Sequence, residues 1–265
     1  MSNDNTSKKK SKDSMANVLI VAISLCLVCS VLISTAAVVL RPIQERNKVV
    51  DRKKNILKAA GLLEEGKAID ELFKQIETKM VELATGEYVE HIDLQKYKLK
   101  QALKDPELSA SLEAKKDIAK LRRQEKYGLV YLVKEQEQLK NIILPIRGAG
   151  LYSTLYGFLA LERNGSTIAG MSFYEQGETP GLGGEIENPR WLTKWQGKQI
   201  YDSTGTTKIE VVKGAVDKSR PEAVHQVDSI AGATLTSRGV SNLVRFWFSE
   251  SGYQPLLSRI STPSG

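Results

Sequence analysis

The sequence predicts an α+β protein with a single N-terminal transmembrane helix, a helical segment after it, and a mainly antiparallel sheet domain at its C-terminus. Three observations carry this. Met15 to Leu40 is a stretch without one charge. From Tyr127 to Lys213, runs rich in β-branched and aromatic residues alternate with turn signals and show no βαβ pattern. Thr234 to Phe248 then carries one apolar face at helical spacing.

The 265 residues, 41% hydrophobic and 26% charged, have ordinary globular composition, which excludes wholesale disorder and collagen-like repeats. Two Cys cannot staple a disulfide scaffold, and two His cannot supply a zinc site, so no metal is expected. The net charge of +7 is local. Residues 1–14, a basic tail, hold four Lys against two Asp, and residues 41–58 hold seven Lys or Arg against two acids. Beyond residue 58 the two signs balance. Nucleic acid is therefore not expected as a partner.

Residues 15–40, taken as a helix, span roughly 39 Å at about 1.5 Å per residue, more than the ~30 Å hydrocarbon core. Ser34-Thr35-Ala36-Ala37 offers small residues for cleavage of a secretory signal. The apolar stretch is longer than such signals carry, so a retained anchor is expected, with flanking Lys and Arg at lipid headgroups. Lys and Arg are more numerous after the span than before it, which on charge alone leaves the orientation undecided. Cys26 and Cys29, one helical turn apart, read as small side chains in lipid or at a helix contact.

Residues 41–126 read as a juxtamembrane helical segment. Val49, Val50, Ile56, Leu57, Ala60, Leu63, Ile69, Leu72, Phe73 and Ile76 recur at steps of three and four, interrupted by Gly61 and Gly66. Residues 93–126 read as a solvated helical excursion with a thin leucine stripe. A domain over 127–265 follows. Gly128–Val133 and Asn141–Ile146 form a hairpin, Tyr156–Leu161, Thr167–Tyr174 and Lys208–Lys213 continue as strands, and Asn164-Gly165 marks a two-residue turn. Trp191 and Trp195 read as core, and His225 as a surface-loop residue.

Two motifs call for a ligand. In Glu178-Thr179-Pro180-Gly181-Leu182-Gly183-Gly184-Glu185 the glycines remove side chains where something approaches the backbone, or simply where a tight turn is made. Asp228-Ser-Ile-Ala-Gly232-Ala233-Thr234-Leu-Thr236-Ser237 places hydroxyls beside the free N–H groups of a helix start, which suits a phosphate or plain N-capping. The loop holds no Lys or Arg, so an exchanging phosphate would lack a charged clamp. A covalent bond removes that need.

Here the chain resembles the FMN-binding domain family shared by NqrC, of the sodium-pumping NADH:quinone reductase, and RnfG, of the related Rnf complex. Asp228-x-x-x-Gly232-Ala233-Thr234 is similar to that family's flavinylation motif, and Glu178–Gly183 to its second signature. The likeness extends through Ile143–Gly150, Tyr174–Gly177, Ile186–Trp191 and Ser251–Tyr253, with Ala231 standing where the family usually has Ser or Thr. The resemblance implies covalent FMN in phosphoester linkage to Thr234. Asp228, Gly232, Ala233, Thr236, Ser237, Glu178, Thr179, Gly181, Leu182 and Gly183 are then its expected surroundings. It also implies a bacterial inner-membrane protein with the domain on the periplasmic side, and a role relaying electrons between NADH and quinone. The expected partners are the other subunits of a membrane redox complex, membrane lipid, and a flavin transferase during maturation. Alternative readings are the Rnf-type subunit, a noncatalytic extracytoplasmic binding module and a membrane scaffold. No catalytic dyad or triad is visible, and the long 46–126 segment favours the sodium-pump branch.

Overall fold

A computed structural model describes residues 15–261, and the basic tail expected over 1–14 lies outside the described residues. Helix α1 is Met15–Ala59, with Pro42 inside it. The chain divides into two compact units between Val50 and Asp51. In the first unit the helix is apolar all round from Val18 to Leu40 and its side chains are exposed. An α-helix satisfies its own backbone, so such a surface is stable where lipid surrounds it. It is the one helix among the described residues long and apolar enough to cross a membrane.

The second unit begins with the last turns of α1, where Ile56, Leu57 and Ala59 are buried. Then follow α2 (Ile69–Phe73), β1 (Ile76–Glu82), β2 (Glu87–Val89), α3 (Leu99–Ala102), β3 (Ser109–Ser111) and β4 (Arg123–Glu125). The long strands are β5 (Tyr127–Glu135), β6 (Gln138–Ala149), β7 (Thr154–Glu162) and β8 (Ile168–Glu175). Short 3₁₀ turns, α4 (Pro189–Leu192), β9 (Glu210–Val212) and β10 (Gln226–Asp228) lead to α5 (Thr234–Trp247) and α6 (Gln254–Ser261).

Six strands make one antiparallel sheet in the order β2-β1-β5-β6-β7-β8. Side chains alternate across its faces. Ile143 joins Tyr131, Phe158 and Ala160 on one face, packed under Ile56, Leu57 and Ala59 of α1 and Leu72 of α2. Ile142, Leu144 and Ile146 point the other way, with Leu159 and Leu161, into the larger core under Val240, Leu243, Val244 and Trp247 of α5. Ser172 Oγ donates to the Asn55 carbonyl (2.7 Å), and a Cβ on Gly170 would collide with the Ala59 carbonyl oxygen. That close approach needs glycine.

The fold class is as the sequence predicts, but several local expectations are corrected. Residues 76–82 are a strand, not helix: Ile76, Thr78 and Met80 fall on one side and β1 pairs along its whole length with β5. The spacing fitted both periods, and strand pairing, invisible to a local pattern, decided between them. The sheet therefore starts well before residue 127, and 41–126 is not one helical segment. Residues 93–126 hold one short helix, α3, and the two-stranded β3–β4 ribbon. The Arg123 guanidinium knits that excursion, donating to the carbonyls of Leu103 and Ser109. The Asn164-Gly165 turn is longer than two residues: the Glu162 amide donates to the Thr167 carbonyl, and Asn164 Oδ1 takes the amides of Ser166 and Thr167. The two-residue turn is instead Gln136-Glu137 between β5 and β6, with φ of 50° and 63°. Of Lys208–Lys213 only Glu210–Val212 is strand, pairing in parallel with β10.

Candidate functional site

The two sequence motifs meet at the start of α5. Glu178 lies after β8 and is 5% exposed. One carboxylate oxygen accepts from the amides of Tyr152 (3.0 Å) and Ser153 (3.1 Å) and from Ser153 Oγ (3.3 Å). The other accepts from the Leu151 amide (3.1 Å) and from Thr236 Oγ1 (2.6 Å). Burial pushes this carboxyl up, but the donations from Thr236 and the three amides outweigh it and hold it below its ordinary value.

Gly183 stands directly over this node. A Cβ there would be 2.6 Å from Thr236 Oγ1 and 2.9 Å from Glu178, so its missing side chain is required by the protein's own packing. Gly181, at φ +76° with open space around it, is a turn residue facing solvent. The Leu182 and Gly184 amides both donate to the Thr179 carbonyl, closing the turn.

The second loop is anchored at its entry. The Asp228 carboxylate accepts from Lys194 Nζ (2.5 Å) and from the Val216 amide (2.7 Å), while its carbonyl accepts from Trp191 Nε1 (2.8 Å). Burial raises the Asp228 carboxyl, and Lys194 and Val216 more than offset it, so it too sits low. The chain then turns through Gly232, at φ +73°, where a Cβ would stand 3.0 Å from Leu182. The two loops touch there.

Ala233 is the N-cap of α5, and its side chain caps nothing. Ser237 Oγ turns inward and accepts from the Ile230 amide (3.0 Å). Thr236 and Ser237 are both buried, with protein partners. Thr234, the first residue of the helix, is exposed, and its hydroxyl has no partner among the described residues. The first amide of α5 with an acceptor is that of Ser237, bonded to the Ala233 carbonyl, so those of Thr234, Leu235 and Thr236 are open donors at the positive end of the helix. Around them Leu151, Tyr152, Leu182 and Leu235 are exposed, Tyr152 at 72%. An anion placed at this helix start would meet three free N–H groups, beside exposed apolar side chains.

Sequence reasoning missed Lys194 and the Leu151–Ser153 loop, and Leu235, which helical spacing counts with the apolar face of Thr234–Phe248, instead stands outward, 54% exposed. Lys194 lies 34 residues from its partner, and no local spacing reveals it. Trp191 and Trp195 are core, as expected, their rings 5.6 Å apart edge to face. His225 is half-exposed and bonds through Nδ1 with the Gln199 carbonyl (2.8 Å).

The class of domain is given by the profile described as FMN-binding domain, which matches residues 150–249 and so takes in both loops and this helix start. The chain is 46% identical to the NqrC subunit of the Na(+)-translocating NADH-quinone reductase of Pseudomonas aeruginosa, over 94% of this chain and 97% of that one. To the corresponding Vibrio vulnificus subunit it is 44% identical, with the same coverage. The crystal structure of Shewanella oneidensis NqrC superposes with a TM-score of 0.75 at 32% identity, covering 81% of this chain and 98% of that one. The chain belongs to the NqrC family of Na(+)-translocating NADH-quinone reductase subunits.

Proposed function

We propose that this chain is a membrane-anchored flavoprotein subunit that relays electrons through FMN esterified to Thr234. The work it serves couples NADH oxidation and quinone reduction to sodium export, and its partners are the other subunits of that complex. The observation supporting the linkage is the Thr234 hydroxyl: exposed, partnerless, and at a helix start with three open amides. In the phosphoester the Thr234 oxygen would replace one oxygen substituent on phosphorus: the new O–P bond forms as the old one breaks, and the threonine proton leaves with the departing oxygen, so that net the threonine and FMN give the ester and one water. The helix amides then share the remaining phosphate charge. FMN supplies the redox chemistry, accepting and passing on electrons. The chain fixes where that happens: Gly232 lets the backbone turn, Leu182 and Leu235 offer apolar surface, and Gly181 keeps the loop edge clear of a side chain.

The domain faces the periplasm in this reading, lipid surrounds residues 15–40, and a flavin transferase attaches the FMN. A reporter fused after Gly265 that works only in the cytoplasm is expected to be silent, and strong activity would overturn the topology. In-gel fluorescence of the denatured chain under ultraviolet light tests the linkage. The Thr234 peptide is expected to gain the mass of FMN less water. Fluorescence that survives in Thr234→Ala sinks the assignment.

A further inference from the structure

Glu178 is a buried carboxylate that forms no ion pair with any Lys, Arg or His among the described residues. An unpaired buried charge is costly unless donors surround it, and here all its partners are neutral: three consecutive backbone amides and two hydroxyls. The carboxylate and its donors come from three separate places in the chain, namely the β6–β7 connection, the segment after β8, and the first turn of α5. Three glycines permit the convergence. A Cβ on Gly150 would be 2.6 Å from Glu178 Oε1, one on Gly183 would be 2.6 Å from Thr236 Oγ1, and one on Gly239 would collide with the Ala149 carbonyl oxygen. The Ser153 hydroxyl also accepts from the Gly177 amide (2.7 Å), closing a ring of bonds around the carboxylate. Thr236, which takes its place in this ring, is two residues from Thr234.

We propose that Glu178 is a positioning residue for the flavin-bearing threonine: a fixed anion that latches the first turn of α5, through Thr236, to the Leu151–Ser153 loop, and so sets both the seat and the potential of the flavin borne by Thr234. This rests on the reading of Thr234 as the FMN site. Without the latch, Tyr152 and Leu151 are free to move relative to Thr234, because no other side chain bonds their amides. A negative charge held near the flavin also disfavours the extra electron density of its reduced form.

The charge and the bonds can be separated by experiment on the full-length chain. Glu178→Gln removes the anion, so the flavin midpoint should move positive. Thr236→Val keeps the anion but strips one donor from it, so the midpoint should move negative, and Ser153→Ala should move it the same way by less. Thr236→Ser should restore the wild-type value. In a flavin-free Thr234→Ala background, Glu178→Gln should speed amide hydrogen exchange at Leu151, Tyr152 and Ser153 at least tenfold. A purely structural carboxylate predicts a lower melting temperature in every variant with midpoints unmoved or all moved the same way, and that result overturns the latch. If Glu178→Gln does not fold, the contrast between Thr236→Val and Thr236→Ser carries the test: a shift for the first and none for the second supports the latch, and no shift in the first refutes it. A wild-type chain without covalent fluorescence overturns the flavin reading itself, a result distinct from either.

Discussion

The two loops that meet at the start of α5 are built in opposite ways. The 178–184 loop turns its polar groups onto the protein: Glu178 is buried under five donations, and Gly183 is wedged against Thr236. The 228–234 loop is tied at its entry, by Lys194, Val216 and Trp191 around Asp228, and again where Ser229 meets Gly214 and the Ile230 amide meets Ser237, but it ends on an exposed, unpartnered hydroxyl. Thr234 and Thr236 make the contrast within one helical turn, one facing solvent and the other 1% exposed. A frame and a reactive group have different requirements. The frame must be satisfied internally to be rigid, and the reactive group must be left unsatisfied to be available.

Four measurements test that division. The largest effect should come from Thr234→Ala, with complete loss of covalent flavin and a melting temperature within a degree or two of the flavin-free wild type, since the side chain is exposed and its hydroxyl bonds nothing among the described residues. A large loss of stability would put Thr234 in the frame. Next is Gly183→Val, whose Cβ would stand 2.6 Å from Thr236 Oγ1. Overpacking of this kind costs about 1–3 kcal/mol, read by urea titration, whereas Gly181→Ala, in open space, should cost about 1 kcal/mol through its φ of +76° alone. Equal costs at the two glycines would remove the distinction.

Acid comes third. Glu178 is held below its ordinary 4.5, so the folded chain binds fewer protons there than the unfolded one. That contribution is complete above the unfolded value and drains away as pH falls through the folded one. Asp228 behaves likewise from 3.8 downward. Stability should be level above about pH 5 and fall below 4.5, with the upper part of the fall missing in Glu178→Gln. A decline already present at about pH 6 would point to some other group. The smallest effect belongs to Lys194→Met. Its ion pair with Asp228 is 46% exposed on the lysine side, so a loss of about 0–1 kcal/mol is expected in the same titration, with flavin content unchanged. A drop in flavin content would move Lys194 from the loop's entry to its function.

What can be seen in the sequence follows the range of the interactions. The apolar stretch at 15–40 and the one-sided helix 234–247 announce themselves because each periodicity is complete within its own segment. Thr234 is legible because motif and helix start coincide in a few residues. Residues 76–82 are not: Ile76 continues a helical spacing from Ile69 and Leu72, and only pairing with Tyr127–Val133, about 50 residues away, makes them strand. Glu178 stands out in the sequence as part of a motif, but its bonded partners do not. Its donors are 25–27 residues upstream in Leu151–Ser153 and 58 downstream in Thr236, and neither separation leaves a local trace. The Gln136-Glu137 turn is hidden for another reason, as neither residue type favours positive φ and strand register imposes it.

The burial of Ile56, Leu57 and Ala59 against the sheet bears on how this protein can be cut for study. A soluble fragment started after the helix, at Gly61, would discard three side chains that are each at most 1% exposed and uncover Phe158, Ala160 and Ile143, all fully buried in the intact chain. Such a fragment should aggregate through that bare trough. One started at or before Asp51 retains the plug and should stay monomeric, and limited proteolysis should stop at the same place.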